Sequence, residues 1–124
     1  MRNSITSLTG KYAYMSNDAI AHIRVGNNLF ICVESAYQAA RCCDSGMAGM
    51  FVKLSGKEAR ELGAYVTERK DWDSTKRDVL YELTLEKFKQ NECIAKKLLS
   101  TGNSEITDEF LGDILMRVRS ELKK

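Results

Sequence analysis

Proline is absent from the 124 residues and tryptophan and histidine occur once each. Without proline there is no proline-rich linker, and no repeat or low-complexity stretch marks a joint between domains, so one domain over 1–124 is expected. The single histidine is His22, and the four cysteines (Cys32, Cys42, Cys43 and Cys93) form no C-x-x-C pair. Ordinary zinc spacing is therefore missing, and neither a metal site nor a cofactor is expected. The net charge of +2 is too small to make nucleic acid or an anionic membrane the main partner. No apolar run approaches the roughly 20 residues of a membrane span. The first residues lack a basic stretch followed by an apolar block, so no signal peptide is read there. These absences lead to the expectation of a cytoplasmic protein whose cysteines are free thiols acting as small core residues. What is present is ordinary for a soluble domain, with 44% hydrophobic and 29% charged residues.

The chain is organised around Val33-Glu34-Ser35-Ala36-Tyr37-Gln38-Ala39-Ala40-Arg41. Leu29 to Val33 is rich in β-branched and aromatic residues and reads as a buried strand. The composition turns helical at Glu34, where a carboxylate faces the positive end of the helix dipole. Glu34 and Gln38 are one turn apart and share a face, and Ala36, Ala39 and Ala40 permit close packing. From spacing alone, Glu34 reads first as a helix-start carboxylate with a purely electrostatic role.

Elsewhere, Met1 to Tyr14 suggests a first strand and a turn, and Ser16-Asn17-Asp18 a polar loop. Ala19–Val25 and Leu29–Val33 flank Gly26-Asn27-Asn28 as a β-hairpin, which places His22 in a strand. Met47 to Leu54 reads as a short helical turn. Ser55-Gly56-Lys57-Glu58 is a capping box for a helix to about Val66. A long helix is expected from Ser74 to Gln90, capped by Asp73 or Ser74, with Val79, Leu80, Leu83 and Phe88 inward and Lys87 at the surface. Asn91 and Thr107 are expected to cap two further helices, the first ended by Gly102. The sum is a mostly helical α+β domain with a small antiparallel sheet near the N-terminus.

Six ordered segments then point to a family. Val33–Arg41 resembles the NADAR signature, roughly "s/t-v-E-h-a-Y/F-Q-A-x-K". Tyr14–Asn17, Asp71–Asp73 with Lys76, Lys87–Asn91, Leu99–Gly102 and Leu111–Arg119 resemble that family's "f-L-S-N-F", "d-W-d/e-x-x-K", "K-F-x-Q-n", "L-x-T-g" and "L-G-x-i-L-M-x-v-R" in the same order. The family comprises NAD- and ADP-ribose-associated proteins, among them N-glycosidases of riboflavin-pathway intermediates. Three departures fall on motifs that line the family's pocket. Asp18 replaces a phenylalanine, Ser35 replaces a histidine, and the loop "D-x-x-W-G-x-G-x-x-G-x-N" has no counterpart between Gly102 and Phe110.

The resemblance implies hydrolysis of a ribosyl C–N bond in a nucleotide, ADP-ribose or phosphoribosyl-amine type of substrate. That chemistry needs carboxylates to stabilise positive charge on the ribose and to activate water. Glu34 matches the signature glutamate, and Asp73 is the second catalytic candidate. Ser16, Asn17, Gln38, Arg41, Asp71, Trp72 and Lys76 are the ligand-binding candidates: Trp72 to stack on a flat ring, Arg41 and Lys76 to meet phosphate. For Trp72 a core anchor, and for Asp73 a helix cap, are equally open. Asp108 or Asp113 could supply a substitute acid. Two other functions stay open: a non-catalytic module binding a ribosyl or ADP-ribosyl ligand, and an interaction or inhibitor protein of a phage or mobile element with a protein partner.

Overall fold

The computed structural model describes residues 4–124. Strand β1 (Ser4–Ile5) is followed by a 3-10 helix over Gly10–Met15. Strands β2 (Ile23–Val25) and β3 (Asn28–Phe30) then pair antiparallel, with Ile23 opposite Phe30. Gly26, at φ +60°, makes the hairpin turn that other residues resist. Helix α1 (Val33–Arg41), a 3-10 helix over Ser45–Phe51, and α2 (Gly56–Gly63) follow. The long α3 (Trp72–Gln90), α4 (Glu92–Ser100), strand β4 (Glu105–Ile106) and α5 (Gly112–Leu122) complete the chain. No helix among the described residues is long and apolar enough to cross a membrane.

The α+β class and the hairpin match the sequence expectation, but a second sheet was not foreseen. β4 pairs parallel with β1, Ser4 opposite Glu105 and Ile5 opposite Ile106. This pairing delays the last helix: the Thr107 amide donates to the Ile5 carbonyl, so Thr107 directly follows β4 and caps nothing. Asp108 Oδ2 instead accepts from the Leu111 amide, and α5 begins at Gly112. A Cβ at Gly112 would strike the Ile106 carbonyl, so glycine is what lets the helix leave the strand this closely.

Other boundaries moved for identifiable reasons. The expected first strand shrinks to Ser4–Ile5, with Met1–Asn3 outside the described residues, and Gly10–Met15 is helical. The hairpin strands are shorter than expected because Cys32 is extended at the N-cap and its carbonyl accepts Ser35 Oγ, starting α1 at Val33. The α2 capping box forms, with Ser55 Oγ accepting from the Glu58 amide and Glu58 Oε1 from the Ser55 amide. That helix ends at Gly63, short of Val66. α3 starts at Trp72, two residues early, so Asp73 and Ser74 lie within its first turn and cap nothing. Asn91 stands at the N-cap of α4 as expected but makes no side-chain cap bond; its amide goes to the His22 and Lys87 carbonyls and ties the residue before β2, itself outside the strand, to α3.

The core gathers on α3. Leu80, Leu83, Thr84, Lys87 and Phe88 are all buried and recur at helical spacing, so Lys87 lies inside. The surface placement of Lys87 is thus corrected, while that of Phe88 in the core holds. Ile114, Leu115 and Val118 of α5 and Val33 and Ala36 of α1 share this core with α3. Against α1 sits α2, through a face of small residues: Gly56, Ala59 and Gly63 are all buried. A Cβ on Gly56 would strike Asp18 Oδ1, and one on Gly63 would strike Gln38 Oε1. This approach places the rest of α2 beside Glu34.

Cys32 and Cys42 are buried free thiols, whereas Cys43 and Cys93 are exposed, so only two of the four act as core residues. Burial pushes the Cys42 thiol up in pKa, and its Sγ donates to the Gln38 carbonyl. His22 is exposed.

Candidate active site

Glu34 sits in the first turn of α1 and is only 8% exposed. Its amide donates to the Asn17 carbonyl at 3.1 Å, which joins the Ser16-Asn17 loop to the start of α1. The same loop is held from below. Lys87 Nζ, buried at the end of the core face of α3, donates to the Ser16 carbonyl at 2.9 Å. Two backbone carbonyls in succession are thus fixed, one by an amide and one by an ammonium.

The Glu34 carboxylate has two partners. Gln38 Nε2 donates to its Oε1 at 3.2 Å, the one-turn pairing that the spacing suggested. Arg60, from α2, lies 3.6 Å from its Oε2 and forms a two-pronged pair with Asp18, at 2.9 and 3.0 Å. Burial pushes the Glu34 carboxyl above the ordinary glutamate value, more than Gln38 and Arg60 pull it down. Desolvation thus makes the ionised form of this carboxyl costlier than that of an exposed glutamate, which favours proton exchange with a reacting group.

These groups line one cleft of about 320 Å³. Ser16, Asn17, Asp18, Glu34 and Arg60 form one side, and Leu8, Asp108, Phe110 and Leu111 the other. Asn17 lines the cleft, and its side-chain oxygen is buried without a hydrogen-bond partner among the described residues. Such an orphan costs roughly 1–3 kcal/mol unless something donates to it. Asp108 brings a second carboxylate, and Phe110, half-exposed, brings an apolar face.

Of the residues singled out from sequence, Ser16, Asn17 and Glu34 meet in this cleft, with Gln38 directly behind Glu34. The others do not line it. Arg41 is spent internally, donating to the Gly63 carbonyl, Gln38 Oε1 and Glu68 Oε2. Asp71 is clamped by Arg69 through two bonds of 2.8 Å. Asp73 has a side chain 89% exposed and 3.5 Å from Lys76, which is itself turned to solvent. Trp72 is buried with its ring 5.0 Å from that of Tyr37, away from this cleft. Ser35 also points elsewhere: its hydroxyl is bonded to the Cys32 carbonyl inside the core.

Sequence reasoning missed Arg60, Leu8, Phe110 and Leu111, and treated Asp18 only as a lost aromatic. A signal for Arg60 existed in the small-residue stripe Gly56, Ala59, Gly63, since it brings α2 against α1 and Arg60 adjoins that stripe. Asp108, named as one possible substitute acid, does reach the cleft, and Asp113 does not.

Two stability outcomes follow from this arrangement. Trp72→Ala should lose roughly 3–5 kcal/mol, as buried aromatics do, while Glu34→Ala should lose much less, because it removes a carboxylate that burial disfavours. Urea melts of both variants check this, and equal losses would make Glu34 a structural residue. The second concerns Lys87, which burial lowers from 10.5 to about 8. Between those values the unfolded chain holds a proton that the folded chain has released, so stability should rise as pH increases through that window and be lowest below it. The expected rise is on the order of 3 kcal/mol, and Lys87→Met should remove it in denaturant melts from pH 7 to 11.

The NADAR domain profile matches residues 4–110. The N-glycosidase Npun_R5314 of Nostoc punctiforme is 30% identical over 135 residues, covering 90% of this chain and 86% of its own length. The solution NMR structure of the E. coli protein YbiA superposes with a TM-score of 0.83 at 24% identity, over 99% of this chain and 87% of that one, and so supports the fold. The chain belongs to the NADAR domain family.

Proposed function

We propose that this protein hydrolyses an N-glycosidic bond, the C–N bond joining a ribosyl group to a base or amine in a nucleotide, ADP-ribose or phosphoribosyl-amine type of substrate. The observation that carries the reading is the pairing, in one cleft, of a buried Glu34 carboxyl with the unpartnered Asn17 acceptor and a second carboxylate, Asp108. Similarity to an N-glycosidase supports the reaction class.

In this reading Asn17 accepts from a ribose hydroxyl and fixes the sugar. The C–N bond breaks with positive charge developing on the ribose, which the Glu34 and Asp108 carboxylates stabilise. Glu34 takes a proton from the attacking water as the new C–O bond forms, the departing nitrogen takes a proton from solvent as the C–N bond breaks, and Glu34 then releases its own proton to solvent, so one water is added across the bond. Phe110 offers a flat apolar surface to the leaving base. Asp108, from the short segment before α5, takes the second-carboxylate role that sequence had given to Asp73.

One observation favours a non-catalytic ribosyl- or ADP-ribosyl-binding module instead: Arg60, 3.6 Å from Glu34, partly neutralises the carboxylate. A thermal-shift screen of phosphoribosyl and ADP-ribosyl compounds, followed by product analysis, separates the two. The enzyme reading expects ligand-dependent stabilisation and turnover. Glu34→Gln should keep binding and lower turnover by roughly 10²–10⁴-fold, Asp108→Asn should also lower it, and Asp73→Asn should leave it unchanged. Stabilisation without turnover, equal in wild type and Glu34→Gln, would leave the binding module. No stabilisation by any compound at millimolar concentration would remove both.

A further inference from the structure

On a different part of the surface lies a cavity of about 630 Å³ that shares no lining residue with the Glu34 cleft and has the opposite polarity. Its walls come from β1, the first 3-10 helix, the C-terminal end of α4 and the turn after it. The cleft contains three carboxylates and one guanidinium, whereas this cavity contains Lys11 and Lys97 and, among the described residues, no carboxylate.

Neither ammonium is neutralised. Lys11 Nζ lies over the Tyr12 ring at 5.1 Å and Lys97 Nζ over the Tyr14 ring at 5.8 Å, and neither forms an ion pair among the described residues. A ring face offsets only part of a cation's charge, so two like charges share one concavity and an anion there relieves them both. Hydroxyl donors surround them. Those of Tyr12, Tyr14, Ser4 and Ser104 make no side-chain hydrogen bond among the described residues.

The helix end that faces this cavity would ordinarily repel an anion through its free carbonyls. Here they are occupied: the Lys97 carbonyl accepts Ser100 Oγ, the Leu98 carbonyl accepts Thr101 Oγ1, and the Leu99 carbonyl accepts the Gly102 amide. Behind them the buried guanidinium of Arg119 donates to Thr101 Oγ1 at 2.8 Å, adding positive charge to the wall. The size falls within the range of small-molecule sites, but the lining is ammonium and hydroxyl, which suits a phosphorylated, hydroxyl-rich ligand better than an apolar one.

We infer that the cavity between β1 and the end of α4 is a second binding site, specific for a small molecule bearing a phosphoryl or pyrophosphoryl group, with Lys11 and Lys97 as its anion contacts. It stands independently of the glycosidase reading, since no cleft residue takes part.

The test is a titration of the ¹⁵N-labelled protein with inorganic pyrophosphate, with sodium sulfate at matched ionic strength as the control. Saturable shifts at Tyr12, Tyr14, Lys97 and Ser104, larger with pyrophosphate than with sulfate, are expected. Both lysines are exposed, so Lys11→Gln/Lys97→Gln should fold normally and weaken pyrophosphate binding at least tenfold. Repeating the titration with Glu34→Gln should give unchanged affinity, which separates this site from the cleft. A response no greater than that to sulfate, shifts spread equally over Lys53, Lys57 and Lys70, or full affinity in the double variant would overturn the assignment.

Discussion

A buried amine holding a backbone carbonyl is the constraint on which the candidate active site depends. Lys87 is 1% exposed and donates to the carbonyl of Ser16, distant by 71 residues. Burying an ammonium costs several kcal/mol, and the lowered pKa is the sign of that cost. In return the Ser16-Asn17 loop is held where Asn17 can accept from the Glu34 amide and present its own side chain to the cleft. Apolar packing alone would place α3 against α1, but it would not fix the direction of that loop.

The second constraint is steric. Because Gly56 and Gly63 have no side chains, α2 approaches α1 closely enough for Arg60 to touch both Asp18 and Glu34. The aspartate that seemed to replace an aromatic wall is therefore part of a charge arrangement. Asp18 turns Arg60, and Arg60 in turn tempers the carboxylate that burial would otherwise neutralise further. The short segment before α5 closes the other side of the cleft with Asp108 and Phe110, even without the longer glycine-rich loop that the family resemblance led one to expect.

Much of this was legible from local rules. The capping box at Ser55, the hairpin about Gly26, and the Glu34–Gln38 pair all follow from interactions between residues no more than seven apart. Part of what escaped involved partners far apart in the chain. The parallel pairing of β1 with β4 joins residues about 100 apart, and no periodicity within a two-residue strand announces it. Lys87 was misplaced because charge outweighed position, although 80, 83, 84, 87 and 88 recur on one helical face. Asp71, Asp73, Arg41 and Lys76 have side-chain chemistry that suits a ligand, but each meets a neighbouring residue first.

The account rests on Glu34 being a desolvated carboxyl that Arg60 partly compensates. Its titration can be followed directly by ¹³C NMR of the side-chain carboxyl in wild type and in Arg60→Gln. The account predicts a Glu34 pKa above the ordinary glutamate value in the wild type and a further upward move when the guanidinium is removed, since a positive neighbour favours the ionised form. A wild-type value at or below the ordinary one, or no upward move in Arg60→Gln, would contradict it.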